Sequence, residues 1–246
     1  MNYVEYGKEN GDVILLLHGG GLSWWSYREV AEELASDYRV IIPILDGHGG
    51  CDADFTTIED NAARIIDFID RELGGSVKMI GGLSLGGQIL LEILSERPDI
   101  ARYALRESAL VTPSRLTYAM IKPAFGSCYP LIKKRWFSRL QFKSLRIKHE
   151  LFEEYYTDTV RITKENMISF LEANALYSIK ESLKTTRAEC HVFVGAKEVR
   201  SILKSAQIIH KTLHGSHLTV IPGLRHGEFS INNAAIYAAE IRKIIN

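Results

Sequence analysis

The stretch Met79-Ile80-Gly81-Gly82-Leu83-Ser84-Leu85-Gly86-Gly87 joins an apolar run to a helical pattern. The residues before it are typical of a buried strand, and residues 88–97 carry apolar side chains at helical spacing. The joint is short, so the residue at its apex needs neighbours without side chains two positions before and two positions after. Gly82 and Gly86 occupy those positions around Ser84, which gives a G-x-S-x-G pattern.

A serine on such a strand-to-helix turn is typical of a nucleophile. The turn lifts the hydroxyl of Ser84 clear of the sheet and directs the backbone N–H of Leu85 toward the space beside it, at a helix N-terminus that stabilises negative charge. A glycine-rich turn that only packs tightly or binds phosphate is the alternative. The stretch has neither the Lys-Ser/Thr of a P-loop nor a G-x-G-x-x-G spacing, so it does not indicate nucleotide binding.

The overall composition is that of an ordinary globular protein. The chain has 246 residues, of which 46% are hydrophobic and 24% are charged, enough for a large core in one domain or in one domain with an insertion. Lys plus Arg equals Asp plus Glu at 30 each, so no net charge attracts nucleic acid. We therefore expect no nucleic-acid partner.

Cysteine spacing and hydropathy favour a cytoplasmic protein without cofactors. Cys51, Cys128 and Cys190 lie far apart and form no C-x-x-C pair, which indicates reduced thiols. The first residues lack the basic start of a signal peptide, and no stretch approaches the roughly 20 apolar residues of an integral membrane segment. No group of His, Cys, Asp or Glu has the spacing of metal ligands, so no metal site is expected.

Apolar runs alternate with helical patterns along most of the chain. Val13–Leu17 is continuously apolar, which is typical of a strand buried on both faces of a mainly parallel sheet. Similar runs recur at residues 39–44, 77–80, 101–105, 191–194 and 218–221. The alternation predicts an α/β fold with a mainly parallel, doubly wound sheet flanked by helices, in which ligands gather at the carboxyl ends of the strands.

The alternation stops between residues 113 and 187. This segment predicts a helical lid (cap), inserted before the strand at residues 191–194 into a core made of residues 1–112 and 188–246. Between Ser108 and His149 the chain has nine Lys or Arg side chains, interleaved aromatic residues and no Asp or Glu. A solvated helical face is the favoured interpretation, and contact with an anionic or lipid surface is the alternative.

Two polar side chains follow late strands. Glu198 comes after the run at residues 191–194, and His226 comes after the run at residues 218–221. Both should therefore lie at the same edge of the sheet as Ser84.

The first long strand is followed at once by His18-Gly19-Gly20-Gly21. Glycines there let a backbone N–H approach a ligand closely, as the second donor of an oxyanion hole must, although a simple strand-ending turn is the alternative. His48 lies in a loop without further support for catalysis, and we interpret it as structural.

With Ser84, Glu198 and His226 in that order, the chain resembles the α/β-hydrolase fold family, whose serine esterase-like and lipase-like members carry a triad in the order Ser, Asp or Glu, His. The resemblance covers nearly the whole chain. It also rests on four loops, namely His18-Gly19-Gly20, Gly47-His48-Gly49, Gly195-Ala196-Lys197-Glu198 and Gly223-Leu224-Arg225-His226.

The resemblance implies a role for each triad residue. Ser84 would be the nucleophile, His226 the general base and then the general acid, and Glu198 the carboxylate that orients the imidazole. Because the family's commoner residue at position 198 is Asp, Glu107 at the end of the strand after Ser84 is the rival acid.

The same resemblance implies an oxyanion hole made of two backbone N–H groups. Leu85 and Gly20 would be the donors, and Gly21 is the other candidate.

The implied reaction is the hydrolysis of a carboxylic ester with a small or medium acyl group, through an acyl-enzyme intermediate. A thioesterase, a monoacylglycerol lipase or an acyltransferase would use the same residues. A non-catalytic ligand-binding receptor or scaffold of the same fold is the alternative of another class, and the presence of all three triad residue types favours the enzyme.

Overall fold

Seven strands form a single sheet in the computed structural model, which describes residues 1–246. The strands are β1 (Tyr3–Gly7), β2 (Val13–Leu17), β3 (Arg39–Pro43), β4 (Val77–Leu83), β5 (Ala101–Glu107), β6 (Glu189–Gly195) and β7 (His217–Ile221). Their spatial order is β1-β3-β2-β4-β5-β6-β7, with β1 antiparallel to β3 and all other pairs parallel. The predicted mainly parallel sheet is confirmed, and β1 is an additional edge strand that the sequence did not indicate.

Ten α-helices cover the sheet and its carboxyl edge. They are α1 (Arg28–Leu34), α2 (Ile58–Glu72), α3 (Leu85–Glu96), α4 (Arg115–Ile132), α5 (Arg135–Leu145), α6 (Phe152–Thr159), α7 (Lys164–Leu176), α8 (Arg200–Thr212), α9 (Glu228–Asn232) and α10 (Ala234–Ile245). Short 3-10 helices occupy Trp24–Tyr27, His149–Leu151 and Glu181–Thr185. None of the helices is both long enough and apolar enough to span a bilayer.

Strand β2 is apolar throughout because helices cover both faces of the sheet there. Leu15 packs into the core that includes α2 and α3, whereas Leu16 packs into the core that includes α1 and α10. Successive side chains of a strand point to opposite faces, so a strand covered on both sides needs apolar residues at every position. The uninterrupted run in β2 follows directly from this arrangement.

The segment between β5 and β6 contains helices and no strand. It holds α4 to α7, and it exposes the apolar side chains of Leu116, Trp136 and Leu140. That this segment, residues 113–187, acts as a lid stays a prediction.

The parallel strands place their carboxyl ends along one edge of the sheet. The loops after β2, β4, β6 and β7 carry the candidate site residues predicted from the sequence, and the loop after β5 adds one more. They are His18 to Gly21, Ser84, Glu198 and His226, together with Ser108.

Candidate active site

Ser84 sits on a tight turn between the last residue of β4 and the first residue of α3. Its backbone has φ 52° and ψ −111°, a left-handed conformation that costs a non-glycine residue about 1–3 kcal/mol. A Cβ at Gly82 would lie 2.4 Å from the carbonyl oxygen of Gly86, and a Cβ at Gly86 would lie 2.1 Å from the carbonyl oxygen of Leu17. Neither position can hold a side chain, which is why both are glycine.

The hydroxyl of Ser84 does not cap α3. It lines a cavity of about 620 Å³, and Glu198 and His226 line the same cavity. The hydroxyl and the imidazole are not hydrogen-bonded to each other in this conformation, and catalytic hydrogen bonds often form only when substrate is bound. The three side chains expected to act together are thus brought to one cavity by three different loops.

The imidazole of His226 is held by the carboxylate of Glu198. Nδ1 of His226 lies 2.8 Å from Oε2 of Glu198. With Nδ1–H donating to this carboxylate, Nε2 carries the free lone pair and can accept a proton. The pair therefore has the tautomer that a general base needs.

The other oxygen of Glu198 is held in place by the loops around it. Oε1 accepts hydrogen bonds from the hydroxyl of Ser108 and from the backbone N–H of Gly195, the latter at 3.3 Å. Ser108 has φ 59°, and its N–H donates to the carbonyl oxygen of Phe193 at 3.1 Å. No motif in the sequence marks Ser108, although its place at the end of a buried strand is a signal that could have identified it.

Glu107, the rival acid, has a different set of partners. Its two oxygens accept hydrogen bonds from the backbone N–H groups of Phe229 at 3.1 Å and Ser230 at 3.2 Å. The carboxylate thus binds the first turn of α9, directly after the loop of His226. Burial raises the pKa of Glu107 to about 7. Glu198, and not Glu107, is the carboxylate that is hydrogen-bonded to His226.

The loop after β2 leaves the backbone N–H of Gly20 without an acceptor. The N–H of Gly21 donates to Nε2 of His48 at 3.0 Å, so it is already occupied. The N–H of Gly20 donates to no acceptor, and Leu85 begins α3, where N–H groups lack partners within the helix. A Cβ at Gly20 would lie 3.4 Å from the ring of Phe170. Gly20 and Leu85 are therefore available to stabilise an oxyanion.

Two buried histidines fix the loops around this donor. Nε2 of His18 accepts a hydrogen bond from the N–H of Leu45 at 3.1 Å, and Nε2 of His48 binds Gly21. Burial lowers the pKa of His18 to about 3 and the pKa of His48 to about 4, so both rings are neutral and can accept these bonds. His48 is stacked on Phe170 with ring centroids 4.7 Å apart.

A second, smaller cavity of about 130 Å³ lies between the loop after β2 and the helical segment. It shares Gly20, Leu22 and Leu145 with the walls of the larger cavity. Most of its remaining walls are apolar, formed by Phe125, Ile132, Met167, Phe170 and Leu171. An engineered apolar cavity of roughly 150 Å³ takes up benzene, so this chamber can hold a short hydrocarbon group.

Comparison with curated sequences identifies epoxide hydrolase 3 of Xenopus tropicalis as a relative. The two are 28% identical over 157 residues, which cover 59% of this chain and 42% of that protein. The chain spans half or less of the length of the curated relatives it matches here.

Solved structures of similar shape include a thermophilic esterase from Thermogutta terrifontis. It matches with a TM-score of 0.80 at 19% identity, over 99% of this chain and 92% of that chain. The enol-lactonase from Burkholderia xenovorans LB400 matches with a TM-score of 0.81 at 15% identity, over 99% of this chain and 95% of that chain. At such identities these similarities show a shared fold alone.

The sequence profile of the alpha/beta hydrolase family matches residues 14–239, which is nearly the whole chain. The seven-stranded sheet, the glycine-flanked turn at Ser84 and the late loops of Glu198 and His226 agree with that match. This chain belongs to the alpha/beta hydrolase family.

Proposed function

We propose that the protein is a serine hydrolase that cleaves a carboxylic ester with a small or medium acyl group. Ser84 is the nucleophile, His226 the general base and acid, and Glu198 the carboxylate that orients the imidazole. The N–H groups of Gly20 and Leu85 form the oxyanion hole. The hydrogen bond between Glu198 and His226, beside a cavity that Ser84 also lines, is the observation that carries this proposal.

Acylation begins when Oγ of Ser84 attacks the ester carbonyl carbon. The hydroxyl proton passes to Nε2 of His226, and the carbonyl oxygen becomes an oxyanion that accepts hydrogen bonds from Gly20 and Leu85. The tetrahedral intermediate then collapses. The bond to the alcohol oxygen breaks, and His226 returns its proton to the departing alcohol.

Deacylation follows the same reaction steps, with water in place of Ser84 as the nucleophile. The water gives one proton to Nε2 of His226 and attacks the acyl carbon, and the second tetrahedral intermediate expels Oγ of Ser84. The serine recovers the proton from His226, and the carboxylic acid leaves. Glu198 stabilises the imidazolium at each stage.

The apolar chamber supports a short acyl chain as the preferred group. It borders Gly20, one of the two proposed oxyanion donors, so an acyl chain bound there would present its carbonyl carbon to Ser84. Burial of each methylene there would contribute about 0.8 kcal/mol to the binding free energy, and longer chains would gain nothing further once the chamber is full.

The rim of the larger cavity is cationic. Arg146, Lys197 and Arg225 line it, and Glu198 is the one carboxylate among the lining residues. An alcohol group that carries negative charge would be favoured there. The basic segment 108–149 adds to this field, and its contact with an anionic or lipid surface stays a prediction.

Other members of the same reaction class would need the same residues. A thioesterase, a monoacylglycerol lipase or an acyltransferase differs from an esterase in its leaving group or acceptor and not in its triad. An epoxide, the substrate in the name of one relative, has no acyl carbon for Ser84 to attack, so it could not form the acyl-enzyme of this proposal. A non-catalytic scaffold would have no need of a serine in a strained turn beside an oriented imidazole.

A fluorophosphonate probe tests the proposal directly. We expect covalent labelling at Ser84 in the native protein and no labelling of Ser84→Ala. A panel of p-nitrophenyl esters, thioesters and an epoxide then identifies the substrate class. Labelling that survives Ser84→Ala, or turnover of the epoxide alone, would exclude the serine esterase mechanism.

A further inference from the structure

Three potential metal ligands meet at the end of the sheet opposite Ser84. Glu189 and His191 lie two residues apart on β6, so their side chains project from the same face of the strand. His217 begins β7 and is the direct partner of His191 in the parallel register. One ligand atom from each of the three lies within 4.8 Å of the others. The sequence did not indicate this cluster because His217 belongs to a different strand.

The ligand atoms of the cluster converge on one point. Nε2 of His191 lies 3.0 Å from Oε1 of Glu189, and Nε2 of His217 lies 3.8 Å from the same oxygen. The two imidazole rings are stacked, with centroids 4.8 Å apart. Ligand atoms of a tetrahedral zinc ion lie roughly 3.4 Å apart, given bonds of about 2.1 Å, so small side-chain rotations would complete the geometry.

We propose that Glu189, His191 and His217 bind a divalent transition metal ion, for which Zn²⁺ is the representative. Two imidazoles and one carboxylate are ligands that Zn²⁺ accepts readily, whereas Mg²⁺ prefers oxygen ligands. Three protein ligands leave a fourth position for water. A simple Glu–His ion pair would involve one imidazole, whereas here two rings converge on a single carboxylate oxygen.

The ligand side chains of the cluster are exposed enough to bind an ion from solvent. The side chains of Glu189 and His217 are 49% and 60% exposed, and that of His191 is 12% exposed. One ligand is thus fixed by the surrounding structure, while the other two can adjust to the metal.

The bound ion would act on the structure and not on the reaction. His191 lies four residues before the carboxyl end of β6, roughly 13 Å at about 3.3 Å per residue, and Glu189 lies farther from that end. β7 is one of the two edge strands, and the loop after it carries His226. A metal that joins β7 to β6 would stabilise this edge of the sheet.

Zinc titration of the purified protein tests the site. We expect one equivalent of Zn²⁺ to bind by calorimetry, and His217→Ala and Glu189→Gln each to lower the affinity by at least about 10-fold, because even the loss of a residue that only supports a ligand costs this much. Zn²⁺ should also raise the melting temperature of the native protein and leave that of His217→Ala unchanged. Mg²⁺ should do neither.

The matched control is His214→Ala. His214 is exposed and close to His217 along the chain, but it lies outside the cluster. We expect this variant to bind Zn²⁺ as the native protein does. Binding that disappears in His214→Ala, or that persists unchanged in both His217→Ala and Glu189→Gln, would overturn the assignment. Far-ultraviolet circular dichroism reports separately whether each variant is folded, so the metal result does not depend on the esterase proposal.

Discussion

Nδ1 of His226 lies 2.8 Å from Oε2 of Glu198, and the two side chains differ sharply in exposure. The carboxylate side chain of Glu198 is 1% exposed, whereas the imidazole of His226 is 47% exposed. The buried partner is fixed by Ser108 and Gly195, while the opposite edge of the ring stays open to the cavity. A general base needs both properties, because Nδ1 must be held by a fixed carboxylate while Nε2 must be able to reach the substrate.

Ser84→Ala should abolish ester hydrolysis and leave the fold intact. Removal of the nucleophile in a well-studied serine protease costs on the order of 10⁶ in kcat, and we expect a loss of that order here. Initial rates with p-nitrophenyl acetate measure the effect. Ser201→Ala, at another serine of the same cavity, should keep near-normal activity. Comparable rates for Ser84→Ala and the native protein would contradict the proposed role.

Glu198→Gln should impair catalysis far more than Glu107→Gln. The first change removes the carboxylate that holds Nδ1 of His226. The equivalent acid-to-amide change in the triad of a serine protease lowers kcat on the order of 10⁴-fold. The second change keeps a carbonyl acceptor for the first turn of α9 and should cost less than about 10-fold. Measured kcat values for the two variants test this ranking. A larger loss in Glu107→Gln than in Glu198→Gln would make Glu107 the triad acid.

Protein stability should depend on pH through three buried groups. Burial lowers the pKa of His18 to about 3 and that of His48 to about 4, from an ordinary value of 6.5. Both groups therefore favour the folded state above pH 6.5, and this contribution to stability is lost as the pH falls toward their lowered pKa values. Glu107, with its pKa raised by burial from 4.5 to about 7, acts in the opposite sense. Its contribution is present below 4.5 and is lost as the pH rises through 7.

Single variants should separate these opposite effects between about pH 5 and pH 6. Each group changes the slope of the unfolding free energy by up to about 1.4 kcal/mol per pH unit. His48→Gln should therefore lower the slope of stability against pH, and Glu107→Gln should raise it. Urea unfolding at a series of pH values measures both slopes, and His149→Ala at an exposed position is the control. Slopes that shift in the same direction in both variants would rule out this assignment.

Gly86→Ala should destabilise the protein strongly. The new Cβ would overlap the carbonyl oxygen of Leu17 at 2.1 Å, and this oxygen belongs to the backbone, so the clash can be relieved only by moving β2 or α3. We expect a loss of about 3 kcal/mol or more in the free energy of unfolding. Gly215→Ala is the matched control, because a Cβ at that position would have no atom within 4 Å and only backbone strain of about 1–2 kcal/mol applies. Equal losses in the two variants would argue against a packed turn.

Met167→Trp should shorten the acyl chain that the protein accepts. Met167 lines the apolar chamber, so a larger side chain would fill part of its volume of about 130 Å³. For hexanoate esters kcat/KM should fall more than about 10-fold. Several methylenes would be displaced from the chamber, and the burial of each contributes about 0.8 kcal/mol to binding. Acetate esters, which do not reach the chamber, should react at near-native rates and serve as the internal control. A uniform loss for both esters would place the acyl chain elsewhere.

The turn at Ser84 and the strands around it could be predicted from the sequence because their signals are local. Apolar runs such as Val13–Leu17 indicate strands buried on both faces, and the glycines on either side of Ser84 exclude side chains from a tight turn. The edge strand β1 has no such apolar run, because only Val4 and Tyr6 are partly buried and its other residues are exposed.

The sequence by itself determined the α/β class, the chain order of the candidate triad and the turn that presents Ser84. Only the tertiary structure decided which carboxylate meets His226, that Gly21 is taken by His48, and that Ser108 supports Glu198. Those contacts join loops far apart along the chain, and their geometry depends on how the strands line up at the carboxyl edge. No local pattern of residues encodes that alignment, because it results from the packing of the whole sheet against its helices.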